Sequence, residues 1–359
     1  MRVALVHDYL NQRGGAERVF AHIARAYPEA PVYTALYDRR QTGDLIDASR
    51  VRVSYLAKIP GANAGFRYLA PLYPRAFESF DLSAYDTIVS STTAWAKGVI
   101  VPRAAVHVCY INTVSRFAFA YDSYVKGLGV RSLARPIVSR LVDWDRRAAQ
   151  RPTQFVANSR NVAERVRRYY GRDSIVLHCP CDVQRFSVGP GGGEHFFIAS
   201  RLLPYKRIDL AIRAAAIAGV RLFVAGTGPA EAELRELATG TTTTMLGYVD
   251  DATVNELLGS ARAAILPGEE DFGLVPLEAA ACGRPAIAYR GGGALETIVE
   301  GQTGEFFDEQ TAESLARAMR SFDDRRYDAQ RLRAHAETFA PERFIDRLRS
   351  IVEQTRAAV

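Results

Sequence analysis

Little in this chain lends itself to disulfide, zinc or membrane-spanning structure. Four cysteines in 359 residues cannot build a disulfide framework, so a reducing compartment is expected. Cys179-Pro-Cys181 would be half of a zinc site, but no second Cys/His pair stands at zinc spacing. The six histidines are scattered, with no His-Glu-x-x-His helix and no hydrolytic-triad pattern. There is no phosphate-binding loop of the Gly-rich Lys-Ser/Thr type. Gly226-Thr-Gly228-Pro229 lacks the third glycine of a dinucleotide fingerprint and reads as a plain strand-to-helix turn. Charged residues such as Lys97, Arg103 and Arg221 interrupt every long apolar stretch, so no transmembrane helix is expected. The opening Met-Arg-Val-Ala-Leu-Val is too short an apolar run for a signal peptide, which favours the cytoplasm.

What is present is a two-domain α/β pattern. The length suits two domains of ordinary size, and a 48% hydrophobic composition can fill a core in each. Short apolar runs at 3–6, 87–90, 106–111 and 154–157 alternate with helical patterns, which implies a parallel sheet flanked by helices. A glycine cluster of linker composition follows, Ser187-Val-Gly-Pro-Gly-Gly-Gly193. A second series then repeats the alternation, with strands at 195–199, 221–225, 243–246, 263–266 and 285–289. The expected organisation is one doubly wound domain over 1–187, another over 188–341, and a terminal helix within 342–359. Ligands of such folds bind at the carboxyl ends of the strands, here in a cleft between the two sheets.

Three constellations carry chemistry. The first is Glu270-Asp-Phe-Gly-Leu-Val-Pro-Leu-Glu278, where a helix over 274–282 ends at Gly283. Backbone N–H groups at Gly273, Leu274 and Val275 would offer an anion site at its start. Glu270 before the helix and Glu278 inside it would accept hydrogen bonds from hydroxyls, a combination suited to a sugar nucleotide. The second is Arg201 and Lys206, two cations on a loop after a strand, able to reach one diphosphate. The third is Gly14-Gly15-Ala16-Glu17 between a strand and a helix, which is either a phosphate-facing turn or a tight turn whose Glu17 caps the helix.

The net charge of +6 is unevenly spread. Residues 131–168 contain ten arginines against Asp143, Asp145 and Glu164. That stretch is either a solvated helical face or a contact for an anionic membrane surface or a diphosphate lipid. Nucleic acid is disfavoured, because the arginines are not interleaved with aromatics and no binding motif appears. Asp143-Trp-Asp145 has the form of a metal-binding pair, but residues two apart on a helix point to different faces.

The Glu270–Glu278 string, Arg201 with Lys206, and the Gly14-Gly15-x-Glu17 turn together resemble retaining glycosyltransferases of family GT4, which have the GT-B fold. His7-Asp8-Tyr9, Leu72-Tyr-Pro-Arg, Ala94-Trp-Ala-Lys97-Gly98 and residues 176–186 look like one subgroup, the WbaZ-like bacterial mannosyltransferases. The resemblance implies that Glu278 holds the ribose and Glu270 the sugar hydroxyls, with the backbone from Phe272 to Val275 nearby. It implies Arg201 and Lys206 on the diphosphate, Gly14 and Gly15 facing the donor phosphates, and Glu17, Lys97 and Arg116 on the acceptor side. The terminal helix would cross back to the first domain. No cofactor and no metal are expected, since two cations already oppose the leaving diphosphate.

The implied partners are a nucleotide sugar, with GDP-mannose the first choice, a lipid-linked or oligosaccharide acceptor, and an anionic membrane surface on its inner face. Two positions depart from the pattern. Asn112 and Thr93 stand where such enzymes carry histidines, and Asn112 is expected to donate a hydrogen bond to a sugar hydroxyl. These departures leave open a non-catalytic sugar-nucleotide-binding relative. A GT-B sugar-nucleotide 2-epimerase is a further alternative, although it needs acid/base residues that the first domain does not display.

Overall fold

The computed structural model describes residues 1–115 and 135–359. It divides into two units, Met1–Cys179 with Glu342–Val359, and Pro180–Pro341. Both are built around a parallel sheet, as the alternation of apolar runs and helical patterns predicts.

Unit 1 holds seven strands: β1 (Val3–His7), β2 (Val32–Thr34), β3 (Val51–Val53), β4 (Thr87–Thr92), β5 (Val106–Ile111), β6 (Gln154–Ala157) and β7 (Ser174–Val176). Their order is β3-β2-β1-β4-β5-β6-β7, so the winding reverses between β1 and β4. β4 and β5 are buried along their whole length, so neither shows the in–out alternation of a half-exposed strand. The three-residue strands β2, β3 and β7 are too short to give any periodic signal. The helix Arg160–Tyr170 shows the local rules clearly. Ser159 caps it by accepting from the Val162 N–H, Gly171 ends it at φ 63°, and Val162, Val166 and Tyr170 face the core.

The last helix, Pro341–Ala357, lays Phe344 against Tyr110 with ring centroids 5.5 Å apart. Arg349 donates to the Ala26 carbonyl from Nε and Nη2, at 3.0 and 2.8 Å.

Unit 2 holds six strands: β8 (His195–Ala199), β9 (Arg221–Ala225), β10 (Thr243–Gly247), β11 (Ala263–Leu266), β12 (Ala286–Tyr289) and β13 (Gly304–Phe307). The order β10-β9-β8-β11-β12-β13 places the reversal between β8 and β11. The glycine cluster read as linker is instead bonded into this unit. Gly189, Gly191 and Gly193 donate to the carbonyls of Cys282, Gly259 and Ser260 at 3.0, 3.1 and 3.0 Å. Its glycines answer to close backbone approach, not to flexibility, and composition alone does not separate the two.

Within β5, His107 is fully buried and its Nε2 lies 2.8 Å from the Ser90 hydroxyl. Burial, helped by Arg151, pulls its imidazole down to about 3. The unfolded chain protonates it near the usual value of about 6.5. Between those values the unfolded state binds more protons, so stability falls as pH drops through that window. Urea unfolding at pH 7 and pH 5 tests this. The wild type is expected to lose about 2 kcal/mol more than His107→Gln over that interval. Equal losses would show that His107 is not held neutral.

Candidate active site

The reversal point of unit 2 sets two loops beside each other, because β8 and β11 are hydrogen-bonded neighbours and both run toward the same edge. The β8 exit carries Arg201 and Lys206; the β11 exit carries Glu270. Lys206 Nζ donates to Glu270 Oε1, so the ammonium and the carboxylate named from the sequence meet directly. Glu270 is buried, whereas Arg201 is exposed.

Backbone packing fixes both loops. Leu202 N–H bonds to the Thr227 carbonyl at 3.0 Å, and a side chain at Gly226 would strike the Ser200 carbonyl. The Gly226-Thr-Gly228 turn therefore buttresses the arginine loop, a role its sequence did not reveal. On the other side, Gly293 N–H donates to the Glu270 carbonyl at 2.9 Å, and a Cβ there would lie 2.3 Å from the Phe272 Cα. Only glycine lets the 291–293 turn hold the glutamate loop so closely. Lys206 is aimed by an unusual step: Arg207 adopts φ 54°, alone among the described non-glycine residues. Its guanidinium is held by Asp209 and Gln310 at 3.3 and 3.2 Å.

The helix Leu274–Ala281 begins at Gly273, whose φ of 85° turns the chain and which has no side chain to cap it. The N–H groups of Leu274 and Val275 lie at this helix mouth beside Phe272, which is buried against Phe339. Glu278 is half-buried one turn further on. Its charge is felt by two buried thiols. Burial and then Glu278 push Cys282 up to about 12 and raise Cys181 further. Both stay protonated and are poor metal ligands.

In unit 1 the reversal lies between β1 and β4, and there a carboxylate that sequence reasoning left without a role organises everything. Asp8 is 1% exposed. It accepts from the backbone N–H groups of Thr93, Ala94, Trp95 and Ala96 at 2.6–2.9 Å, and from the Thr92 and Thr93 hydroxyls at 3.1 and 2.7 Å. The signal was an acidic residue directly after an apolar strand. His7 beside it contacts the Ser91 carbonyl at 3.1 Å and stacks on Phe20.

Gly14 caps the helix Gly15–Ala26, and the buried Glu17 carboxylate lies against it, receiving Gln12 Nε2 at 3.2 Å. A negative charge already sits at that helix mouth. This is the arrangement of the turn-capping alternative, and the Glu17 side chain does not face solvent.

Asn112 ends β5. Its Nδ2 donates to Ser91 Oγ and to the Thr92 carbonyl at 3.1 and 3.3 Å, and its own carbonyl accepts from Asn158. Both amide hydrogens have partners within the fold, so the structure does not show the expected Asn112 N–H donor turned to a ligand.

Lys97 is corrected more fully. It is 1% exposed and its ammonium lies 2.5 Å from Asp145 Oδ1, with further bonds to the Ala94 carbonyl and Ser115 Oγ. Asp145 is 0% exposed and also receives the Tyr170 hydroxyl at 2.8 Å. Burial alone would pull the Lys97 ammonium down; Asp145 outweighs it and holds it above the usual lysine range. Asp143, by contrast, is exposed, so the two carboxylates of the Asp-x-Asp string face different surroundings. Among the described residues no three His, Cys, Asp or Glu side chains are grouped to hold a metal ion. Arg116 lies outside the described residues.

Two family models cover nearly all of this architecture. Glycosyltransferase Family 4 matches residues 13–185, and Glycosyl transferases group 1 matches residues 182–339. The chain belongs to the GT4 family of glycosyltransferases. Among GT4-like relatives, a GDP-mannose-dependent alpha-(1-6)-phosphatidylinositol dimannoside mannosyltransferase of Mycobacterium tuberculosis is 39% identical over 152 residues. That match covers 40% of this chain and 39% of the relative, so the chain spans about two fifths of that protein's length. A D-inositol 3-phosphate glycosyltransferase of an Arthrobacter species is 28% identical over 257 residues, covering 61% and 60%.

Solved structures agree on the fold. The Anabaena protein HepE in complex with UDP superposes with a TM-score of 0.70 at 17% identity, covering 99% of this chain and all of that one. Sucrose-phosphate synthase of Thermosynechococcus elongatus gives 0.71 at 16% identity, covering 99% of each. The fold is GT-B.

The role of Lys97 in this GT4 chain is open to a direct test. Lys97→Met leaves Asp145 buried without its cation and is expected to lower stability by about 3–5 kcal/mol. Adding Asp145→Leu should recover most of that loss, read as denaturant midpoints. A Lys97→Met protein of unchanged midpoint would return the residue to the acceptor side.

Proposed function

We propose that this protein is a retaining, metal-independent hexosyltransferase. It transfers mannose from GDP-mannose to a lipid-linked or oligosaccharide acceptor in the assembly of bacterial surface polysaccharide. The observation that carries this reading is the Lys206–Glu270 contact at the reversal point of unit 2. It sets a cation suited to a diphosphate beside a carboxylate suited to accept from sugar hydroxyls. The GDP-mannose dependence of the mycobacterial relative supports mannose and GDP, and the UDP bound to HepE supports a nucleotide site in this fold.

In this reading Glu278 holds the ribose, and the helix mouth at Gly273 with Arg201 and Lys206 takes the diphosphate. The acceptor hydroxyl oxygen attacks the anomeric carbon on the face that the phosphate leaves. The bond from that carbon to the phosphate oxygen breaks, and the same oxygen takes the hydroxyl proton. Neither glutamate acts as acid or nucleophile, unlike the carboxylate pair of a glycosidase. The rate comes from positioning and from two cations facing the charge that develops on the diphosphate. Gly14 and Gly15 face the donor phosphates in this reading, with the Glu17 carboxylate packed against Gly14.

No helix among the described residues is long and apolar enough to cross a membrane. In this reading a lipid-linked acceptor is met by surface contact on the cytoplasmic leaflet. Of the arginine-rich stretch, Arg140, Arg146, Arg147, Arg167 and Arg168 are exposed. Arg151 is instead taken up by Glu78.

A panel of radiolabelled donors separates the readings. GDP-mannose should be turned over, by slow hydrolysis or by transfer, faster than UDP-glucose or UDP-N-acetylglucosamine, and EDTA should leave the rate unchanged. Turnover of a UDP-sugar alone would overturn the donor assignment. A strict need for magnesium or manganese would overturn the metal-free mechanism. Tight GDP binding without any turnover would favour the binding-only relative that Asn112 leaves open.

The two glutamates are expected to separate kinetically. Glu278→Ala loses hydrogen bonds made before and during reaction, so donor KM should rise about tenfold or more with little change in kcat. Glu270→Ala loses contacts that orient the reacting sugar, so kcat should fall about a hundredfold. Wild-type kinetics in both variants would show that this motif is not the donor site.

A further inference from the structure

A second surface, on the other side of the sequence from the arginine-rich stretch, combines positive charge with exposed apolar side chains. Between Asp47 and Glu78 the chain has no acidic residue and five cations. One of them, Arg50, is used inside the fold, donating to the Tyr27 and Ala30 carbonyls at 2.8 and 2.9 Å. The other four, Arg52, Lys58, Arg67 and Arg75, are exposed. Among them Val53, Tyr55, Ile59, Tyr68 and Leu72 also face solvent, Tyr68 at 79% exposure. Clustered exposed apolar groups of this kind mark an interaction surface rather than ordinary scatter.

The segment is a platform of short turns, not a helix with a polar and an apolar face. Its framework is the 3-10 turns Tyr55–Lys58 and Phe66–Leu72. The Tyr55 hydroxyl donates to the Leu72 carbonyl at 3.4 Å, which joins the two turns. Leu56, Ala62 and Tyr73 of the same stretch point inward, so the exposed set is what remains after the core is filled. Underneath, Phe66 packs edge-on against Tyr9 at 5.0 Å, one residue after Asp8, and Asn11 Nδ2 donates to the Asn63 carbonyl at 3.0 Å. The platform is thus braced against the carboxyl end of β1. The bounding acids do not cancel its charge. Glu78 receives Trp144 Nε1 and Arg151 at 2.8 and 2.6 Å, and Asp47 caps its own turn through the Ser49 N–H.

We propose that this face, residues 51–75, docks on an anionic lipid surface. The proposal rests on the reading of a lipid-linked acceptor and names the surface that would meet it. The chemistry favours lipid over nucleic acid, because Val53, Ile59 and Leu72 gain nothing from a phosphodiester backbone but gain from an acyl boundary. Tyrosines belong at headgroup depth, and the four cations match anionic headgroups. The helix Arg135–Ala148, with exposed Ile137, Arg146 and Arg147, is linked through rings. Tyr73 stacks on Trp95 at 5.2 Å, and Trp95 meets Trp144 at 5.7 Å.

Vesicle sedimentation tests the proposal with the full chain. Wild type should bind phosphatidylglycerol-containing vesicles, bind pure phosphatidylcholine weakly, and release as salt rises. Lys58→Glu with Arg67→Glu should weaken binding about thirtyfold or more, since each interfacial cation is worth about fivefold. Tyr68→Ser with Leu72→Ser should weaken the part that survives high salt. Arg167→Glu with Arg168→Glu, a charge-matched change on another helix, should cost less than the Lys58/Arg67 pair. All variants should keep wild-type thermal unfolding and donor affinity, because none lies in the donor site. If wild type binds anionic vesicles and both patch variants bind equally well, the surface assignment is overturned. If wild type binds no vesicle, the surface and the lipid-linked acceptor both fall while the donor reading stands on its own assays.

Discussion

A parallel strand pair cannot be closed by a hairpin, so every strand must leave its sheet at the same edge and return through a crossover. That constraint governs both units. In each, the winding reverses beside the first strand, between β1 and β4 and between β8 and β11. At the reversal the exit loops of two neighbouring strands lie side by side, so that their side chains can meet. The chemistry-bearing residues follow from it. Asp8, Asn112 and Asn158 end strands of one sheet or follow them, and Arg201, Lys206 and Glu270 do the same in the other.

The two units fill this position with opposite electrostatic logic. In unit 1 the ionised groups at the edge are turned inward and satisfied. Six donors converge on Asp8, and Lys97 with Asp145 forms a buried pair wrapped by Ser115, Tyr170 and Trp144. Taking such charges out of water costs several kcal/mol each, and only complete hydrogen bonding offsets it. The return is a loop from Thr92 to Lys97 with little freedom, beside the end of β5. In unit 2 the charges are partly open: the Lys206–Glu270 contact is only partly buried and Arg201 is exposed. A charged ligand can compete for these groups, which it cannot do for Asp145.

This contrast also explains why counting charges along the sequence misleads. Residues 131–168 have the greater excess of arginine, yet Asp145 within them answers Lys97 and Arg151 answers Glu78, so charge in sequence and charge at the surface differ. Residues 48–77 are less conspicuous in sequence because their cations are spaced among aromatics and aliphatics. Their lack of any carboxylate becomes meaningful only once the turns put those side chains outside.

The sequence by itself determined the parallel α/β class, most strand positions, the GT4 relationship and the continuous Glu270–Glu278 string. Each of these is written in local terms: apolar runs of strand length, glycines at helix ends, and a continuous motif whose residues share one strand exit and one helix. Short strands such as β2, β3 and β7 were illegible because three residues carry no period. The glycine cluster at 187–193 does not disclose its packing in sequence, because close backbone packing and flexibility demand the same residue. Only the tertiary structure decided what long-range partners decide. Asp8 reaches a loop 84 to 88 residues away, and Lys97 meets Asp145 across 48. Whether a charged side chain faces a ligand or a buried counter-charge depends on which element folds over it, and no local pattern encodes that distance.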